Sequence, residues 1–223
     1  MERIKNAIPN IPNWPIEGVV YRDITGLLQD PKAFSESCLV LSNHFARIGI
    51  DCIAAADARG FIWGGATASS LAVPLHLVRK PGKLPPPVKT HEFTYEYAST
   101  SLSIKANANL GQRSYVGVID DVNATGGTAV AIIELLKSFG VPVENIYYAS
   151  IIDLPFLGGS AKIKETGANF YTFKYQIELG DWLHKFTIDK VADINSLADL
   201  SKVDKISLNS LSNFDGDGFL LII

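Results

Sequence analysis

The chain predicts an α/β fold, a mainly parallel central sheet flanked by helices, and three observations carry that reading. Short apolar runs of strand length, "IDCIAAAD", "PLHLVRK", "SYVGVIDD" and "NIYYASIIDL", recur along the sequence. Segments of helical periodicity separate several of them, and strands alternating with helices pair in parallel with crossovers on both faces. With 223 residues, of which 47% are hydrophobic and 19% charged, the chain can also bury a large core.

The elements follow in order. In "DPKAFSESCLVLSNHFARIG" the residues Phe34, Cys38, Leu41, Phe45 and Ile48 recur at spacings of three and four, with Asp30 before Pro31 as the cap and Gly49 as the stop. This is a helix with one buried stripe. "IDCIAAAD" reads as a buried strand, "GFIWGGATASSLA" as a helix of small residues and "PLHLVRK" as a second strand. "PGKLPPPVKTHE" holds four prolines among twelve residues and predicts a loop or the base of a flap. "FTYEYAS" and "SLSIKAN" then read as a hairpin and "SYVGVIDD" as a core strand. From Thr128 to Phe139, Val130, Ile133, Leu136 and Phe139 drift round one helical face, and Gly140 stops the helix. "NIYYASIIDL", a short helix in "SAKIKETG" and "FYTFKYQ" complete the alternation. Past about Leu179 the composition turns to Asp, Asn and Ser, so residues 179–223 are expected to be an extension on a domain of residues 1–178. Its apolar end, "GFLLII", is expected to pack, on a neighbouring subunit or elsewhere.

A net charge of -3 gives no basic field, so neither nucleic acid nor an anionic membrane is the expected partner. Cys38 and Cys52 form no CxxC pair, His44, His76, His91 and His184 show no metal-ligand spacing, and no preformed metal cage is expected. The N-terminus lacks a signal-peptide core and no run approaches the roughly 18 apolar residues of a span, so a soluble cytoplasmic protein is expected.

The chemistry concentrates in "VGVIDDVNATGGTAVAIIELLKSFG". In a doubly wound sheet ligands gather at the carboxyl ends of strands, where "VIDD" places Asp120 and Asp121. The turn Ala124, Thr125, Gly126, Gly127, Thr128 opens a helix, so its backbone N–H groups and the positive end of the helix converge on one point that suits a phosphate. No Lys follows the glycines and no GxGxxG occurs, which disfavours nucleotide hydrolysis and dinucleotide binding. Two carboxylates beside a phosphate need partners of their own, and vicinal ribose hydroxyls or magnesium are suitable. The ligand implied is a ribose 5-phosphate. The bland alternative is an ordinary strand end and turn.

This stretch resembles the 5-phosphoribosyl 1-pyrophosphate (PRPP) signature of the type I phosphoribosyltransferases. "GVVYRDITGLLQDPKAF", "DARGF" at 57–61, "VRKPGKLP" at 78–85 and "YEY" at 95–97 occur in the order found in the adenine-specific members, and the likeness covers about residues 1–176. It implies the type I phosphoribosyltransferase fold with a flap hairpin, and a purine-salvage transferase making AMP and pyrophosphate from adenine and PRPP. Asp57, Ala58 and Arg59 then form the pyrophosphate loop, with Arg79, Lys80 and Lys83 as further pyrophosphate contacts. Val20, Tyr21 and Arg22 read and stack on adenine, with Leu157 on the opposite face. Glu96, beside Tyr97, is the flap glutamate that exchanges a proton with purine N7, and Arg59 joins them in catalysis. Mg2+ is expected to arrive with PRPP, assisted by Asp120 and Asp121, and a homodimer is expected. Asn123, where the family usually has an apolar residue, and the flap sequence "PPPVKTHEF" depart from the pattern. Two alternatives stand: the same fold acting on another purine, or a PRPP or nucleotide sensor that has lost turnover.

Overall fold

A computed structural model of the chain describes residues 2–14, 20–95 and 98–173. The described residues fall into two compact units, a larger one of residues 2–8, 24–95 and 98–173 and a smaller one of residues 9–14 and 20–23. The larger begins with helix α1 (Glu2–Asn6). In the smaller, strands β1 (Asn10–Pro12) and β2 (Val20–Arg22) pair antiparallel with Ile11 opposite Tyr21, and the Trp14 ring meets Tyr21 at 4.5 Å. Neither α1 nor this ladder has a signal in the sequence beyond a few apolar residues, because elements this short are decided by tertiary contacts.

The larger unit continues through α2 (Thr25–Gln29) and α3 (Pro31–Ile48). Asp30 caps α3 as expected, its carboxylate accepting from the N–H groups of Lys32 at 2.9 Å and Ala33 at 3.0 Å, and Gly49 ends it with φ of 75°. The buried stripe is displaced from the one the sequence predicts. Ala33, Ser37, Leu41, Ser42 and Phe45 are buried, whereas Phe34, Cys38 and Ile48 are half-exposed. The reason is Trp63, fully buried on the next helix, α4 (Gly60–Leu71), whose indole N–H donates to Ser37 Oγ at 2.7 Å. Ser37 in turn donates to the Phe34 carbonyl at 2.6 Å, so a small hydroxyl takes the place that apolar counting gives to a larger neighbour. Trp63→Phe, which removes the donor and part of the ring, is expected to cost about 1–3 kcal/mol in urea unfolding. An unchanged unfolding midpoint would refute this account of the helix pair.

Strand β3 (Cys52–Ala56) precedes α4 and is buried throughout, and β4 (Leu75–Val78) follows it. The chain then leaves the sheet as an antiparallel hairpin, β5 (Val88–Tyr95) with β6 (Ala98–Lys105). Val88 to Glu92, read with the prolines before them as a loop or the base of a flap, already belong to β5 of the hairpin; the prolines stop at Pro87 and leave the following N–H groups free to pair. The chain returns through β7 (Val116–Asn123), α5 (Gly127–Ser138), β8 (Ile146–Asp153), α6 (Gly159–Glu165) and β9 (Asn169–Thr172). Five parallel strands result, in the order β4-β3-β7-β8-β9. Helix α5 buries more than the single face predicted. Ala129, Ala131, Ile132, Ile133, Leu135 and Leu136 are all buried, because the hairpin and α6 pack on it too. No described helix is long and apolar enough to cross a membrane.

Candidate active site

The strand order sets the position of the site. From β3 the chain steps to β4 on one side, and from β7 to β8 on the other, so the gap between the carboxyl ends of β3 and β7 is the topological switch point. The loop after β3 carries Asp57, Ala58 and Arg59, and the end of β7 carries Asp120 and Asp121. They are joined by an ion pair: Arg59 Nε lies 2.5 Å from Asp121 Oδ2.

The two acids have different surroundings. Asp121 is 3% exposed; burial pushes its carboxyl up and the Arg59 guanidinium draws it back, leaving it somewhat raised. Asp120 is less covered at the surface, yet its carboxyl is held well above the usual carboxylate range, first by desolvation and then by the charge of Asp121. It also accepts the Asp121 N–H at 2.9 Å. Of the two acids, Asp120 keeps surface open to a ligand, whereas Asp121 is buried and engaged by Arg59.

Beyond these acids the turn opens α5. Gly126 adopts φ of 80°, in the left-handed region, and its carbonyl accepts from Val130 N at 2.9 Å as the first bond of the helix. The helix starts at Gly127, one residue earlier than its periodicity indicates, so its first amides fall within the glycine turn. The turn is backed by the residues after β8. Leu154 N donates to Asn123 O at 2.9 Å and Gly159 N to Ala124 O at 3.1 Å. A Cβ at Gly126 would come within 2.7 Å of Gly159 backbone, and one at Gly159 within 2.2 Å of Ala124 O. Leu157 lies in this stitched segment, at the end of a short 3-10 turn over Pro155–Leu157.

The basic cluster after β4 reaches the same rim. Arg79 Nε pairs with Asp57 Oδ2 at 2.8 Å, Arg79 Nη1 donates to Lys83 O at 3.2 Å, and its guanidinium lies 5.7 Å from the Phe61 ring centroid. Its backbone bonds to Ser103 of β6 in both directions, at 3.0 and 2.8 Å. Lys80 and Lys83 are exposed. The two Arg–Asp pairs, Arg59 with Asp121 and Arg79 with Asp57, keep guanidinium groups beside the strand ends.

The structure thus assembles Asp57, Arg59, Arg79, Asp120, Asp121, the turn 124–128 and the Leu157 segment in one unit. Val20, Tyr21 and Arg22 form β2 of the smaller unit. Glu96 and Tyr97, and the extension 179–223, lie outside the described residues. Sequence reasoning missed Asp153 and Gly159. Among the described residues no three His, Cys, Asp or Glu side chains group as metal ligands, and His44 stacks on Tyr171 at 3.8 Å instead. The arrangement suits a phosphorylated sugar: amides for the phosphate, an acid for the diol, guanidinium groups for a second anion.

Known proteins agree with that class. Residues 35–155 match the family described as Phosphoribosyl transferase domain. An adenine phosphoribosyltransferase of Idiomarina loihiensis is 43% identical over 169 residues, which is 76% of this chain and 94% of that protein. One from Bordetella avium is 42% identical over 172 residues, 77% and 92% respectively. Among solved structures, that of Giardia lamblia APRTase complexed with 9-deazaadenine matches at a TM-score of 0.71 and 31% identity, covering 79% of this chain and 97% of its own. Adenine phosphoribosyltransferase from Thermoanaerobacter pseudethanolicus matches at a TM-score of 0.70 and 37% identity, covering 78% and 98%. The chain belongs to the type I phosphoribosyltransferase family, among the adenine phosphoribosyltransferases.

Proposed function

We infer that the chain transfers the 5-phosphoribosyl group of PRPP to adenine, giving AMP and pyrophosphate in purine salvage. The observation that carries this reading is the glycine turn opening α5 directly after Asp120 and Asp121, at the switch point and beside Arg59. In our reading the amides of residues 124–128 hold the 5-phosphate. Asp120 accepts from the ribose hydroxyls. Asp121 chiefly orients Arg59, a division of labour that the sequence alone did not make. Arg59, Arg79, Lys80 and Lys83, with the loop of Asp57 and Ala58, receive the pyrophosphate as the C1–O bond breaks. N9 of the base forms the new bond to C1. Glu96, with Tyr97 beside it, takes the N7 proton of the base. Val20, Tyr21, Arg22 and Leu157 are assigned to the base on the likeness of their motifs.

Magnesium fits this donor set. Asp120 offers a partly exposed carboxylate near the end of β7, and hard oxygen ligands of this kind suit that ion. Bound with PRPP, it would offset the charge developing on the leaving diphosphate. We also assign the protein a cytoplasmic location and a homodimeric state by family likeness.

The test is product formation from PRPP and magnesium with a panel of adenine, hypoxanthine, guanine and xanthine. AMP from adenine is expected to dominate, and turnover of a different base would overturn the base assignment. Glu96→Gln is expected to lower kcat by about 10²-fold or more while PRPP affinity stays within about twofold. Equal losses in both would remove Glu96 from the proton step.

A further inference from the structure

Asn123 ends β7 and Asp153 ends β8, and the parallel register sets them opposite one another. Asn123 is 2% exposed and Asp153 is wholly buried, and Asn123 Nδ2 donates to Asp153 Oδ1 at 2.8 Å. The Asn123 Oδ1 atom is buried without a hydrogen-bond partner, and it lies 2.9 Å from where a Cβ of Gly159 would stand. A buried amide and a buried acid at paired strand ends are costly unless they fix something. What they adjoin is specific. One residue beyond Asn123 begins the glycine turn, and one residue beyond Asp153 begins the segment that carries Leu157 and Gly159. The Leu154–Asn123 and Gly159–Ala124 backbone bonds close the same seam.

We propose that Asn123 and Asp153 are positioning residues whose side-chain hydrogen bond locks the glycine turn to the Leu157 loop, so that the phosphate cradle and the base flank are held as one body. This rests on the reading of the turn as the PRPP phosphate site and of Leu157 as a base contact. The acid opposite gives the Asn123 amide its partner. Burial raises the Asp153 carboxyl, against the hydrogen bonds from Asn123 and Ser160 and the charge of Lys164. Asn at this position offers a side-chain oxygen where Asp153 Oδ1 accepts from Asn123.

The experiment measures ribose 5-phosphate binding by calorimetry, together with steady-state kinetics in PRPP and adenine. Asp153→Ala is expected to weaken ribose 5-phosphate about tenfold and to raise KM for both substrates, with kcat within about threefold, as a buried hydrogen bond lost from a cradle outside the reacting atoms should. Asp153→Asn keeps the acceptor and is expected to stay within about twofold of wild type throughout. Wild-type affinity in Asp153→Ala, or equal losses in the Ala and Asn variants, would overturn the proposal. A rise in KM for PRPP alone would overturn the coupling to the base. Should Asp153→Ala not fold, Asn123→Ala removes the donor and answers the same question by the same criteria. Wild-type protein that made no AMP and bound no ribose 5-phosphate would instead overturn the parent reading of the site.

Discussion

Replacing Asp120 with Asn is expected to give a protein that melts higher and makes almost no AMP. The physical reason is that the Asp120 carboxyl sits desolvated and beside the charge of Asp121, so ionising it costs the folded state more than the unfolded chain. A group whose folded pKa is raised contributes stability that is complete below its unfolded value, near 3.9, and is lost as pH rises toward the folded value. The carboxyls of Asp120, Asp121 and Asp153, all raised, should therefore each cost stability as pH rises above about 4, whereas that of Asp30, lowered first by its bond from the Ala33 N–H, acts in the opposite direction. Asp120→Asn removes the largest part of that penalty. At pH 8 its melting temperature should exceed that of wild type by about 2–4 °C, the shift that about 1 kcal/mol gives in a chain of this size, and the gain should shrink toward pH 4. AMP formation should fall by at least about 10²-fold, because an amide cannot supply the anionic oxygen that the ribose diol and magnesium require. Equal melting of variant and wild type across this pH range would show that the raised carboxyl is not a site of stored cost.

Gly159→Ala is expected to have the second large effect, although no ligand is assigned to that residue. A methyl there would stand 2.2 Å from Ala124 O and 2.6 Å from Gly126 N, and both are backbone atoms of the phosphate turn that no rotamer change can move aside. Either the Gly159–Ala124 bond breaks or the turn shifts, and overpacking of this kind costs about 1–3 kcal/mol. The displacement falls on the amides to which we assign the phosphate, so KM for PRPP should rise by about tenfold or more, with a melting temperature lowered by several degrees. Gly158→Ala is the control. That neighbour has φ of 77° but open space around a Cβ, so it should lose some stability and keep its PRPP affinity. Parallel loss of affinity in both variants would mean that backbone strain in the loop, and not contact with the turn, sets the effect.

Much of this was legible in the chain because its signals are local. Strand β7, the glycine turn and the start of α5 are contiguous, and a strand end, a left-handed glycine and a helix N-terminus are each announced by a few adjacent residues. The cap at Asp30 and the stop at Gly49 are local in the same sense. What escaped notice depends on pairs distant in sequence. Ser37 is buried because Trp63 comes to it from 26 residues away, and nothing in the helix's own spacing says so. Asn123 stood out as unusual, yet its partner Asp153 lies 30 residues on and is related to it only through the register of two parallel strands. The ion pair of Arg59 with Asp121 likewise needs the strand order before the two acids can be told apart.

Helix α5 has a tie at each end. Its first turn lies in the glycine turn to which we assign the phosphate, while the carbonyl of Ser138 accepts from Lys89 of β5, whose ammonium also rests 4.6 Å from the Phe139 ring centroid. The hairpin is thereby rooted on the far end of the rod that carries the cradle. Each residue of helix contributes about 1.5 Å and 100°. The length of α5 is consequently a ruler for the molecule: insertion or deletion of a single residue would carry the hairpin's pivot to a new height and bearing.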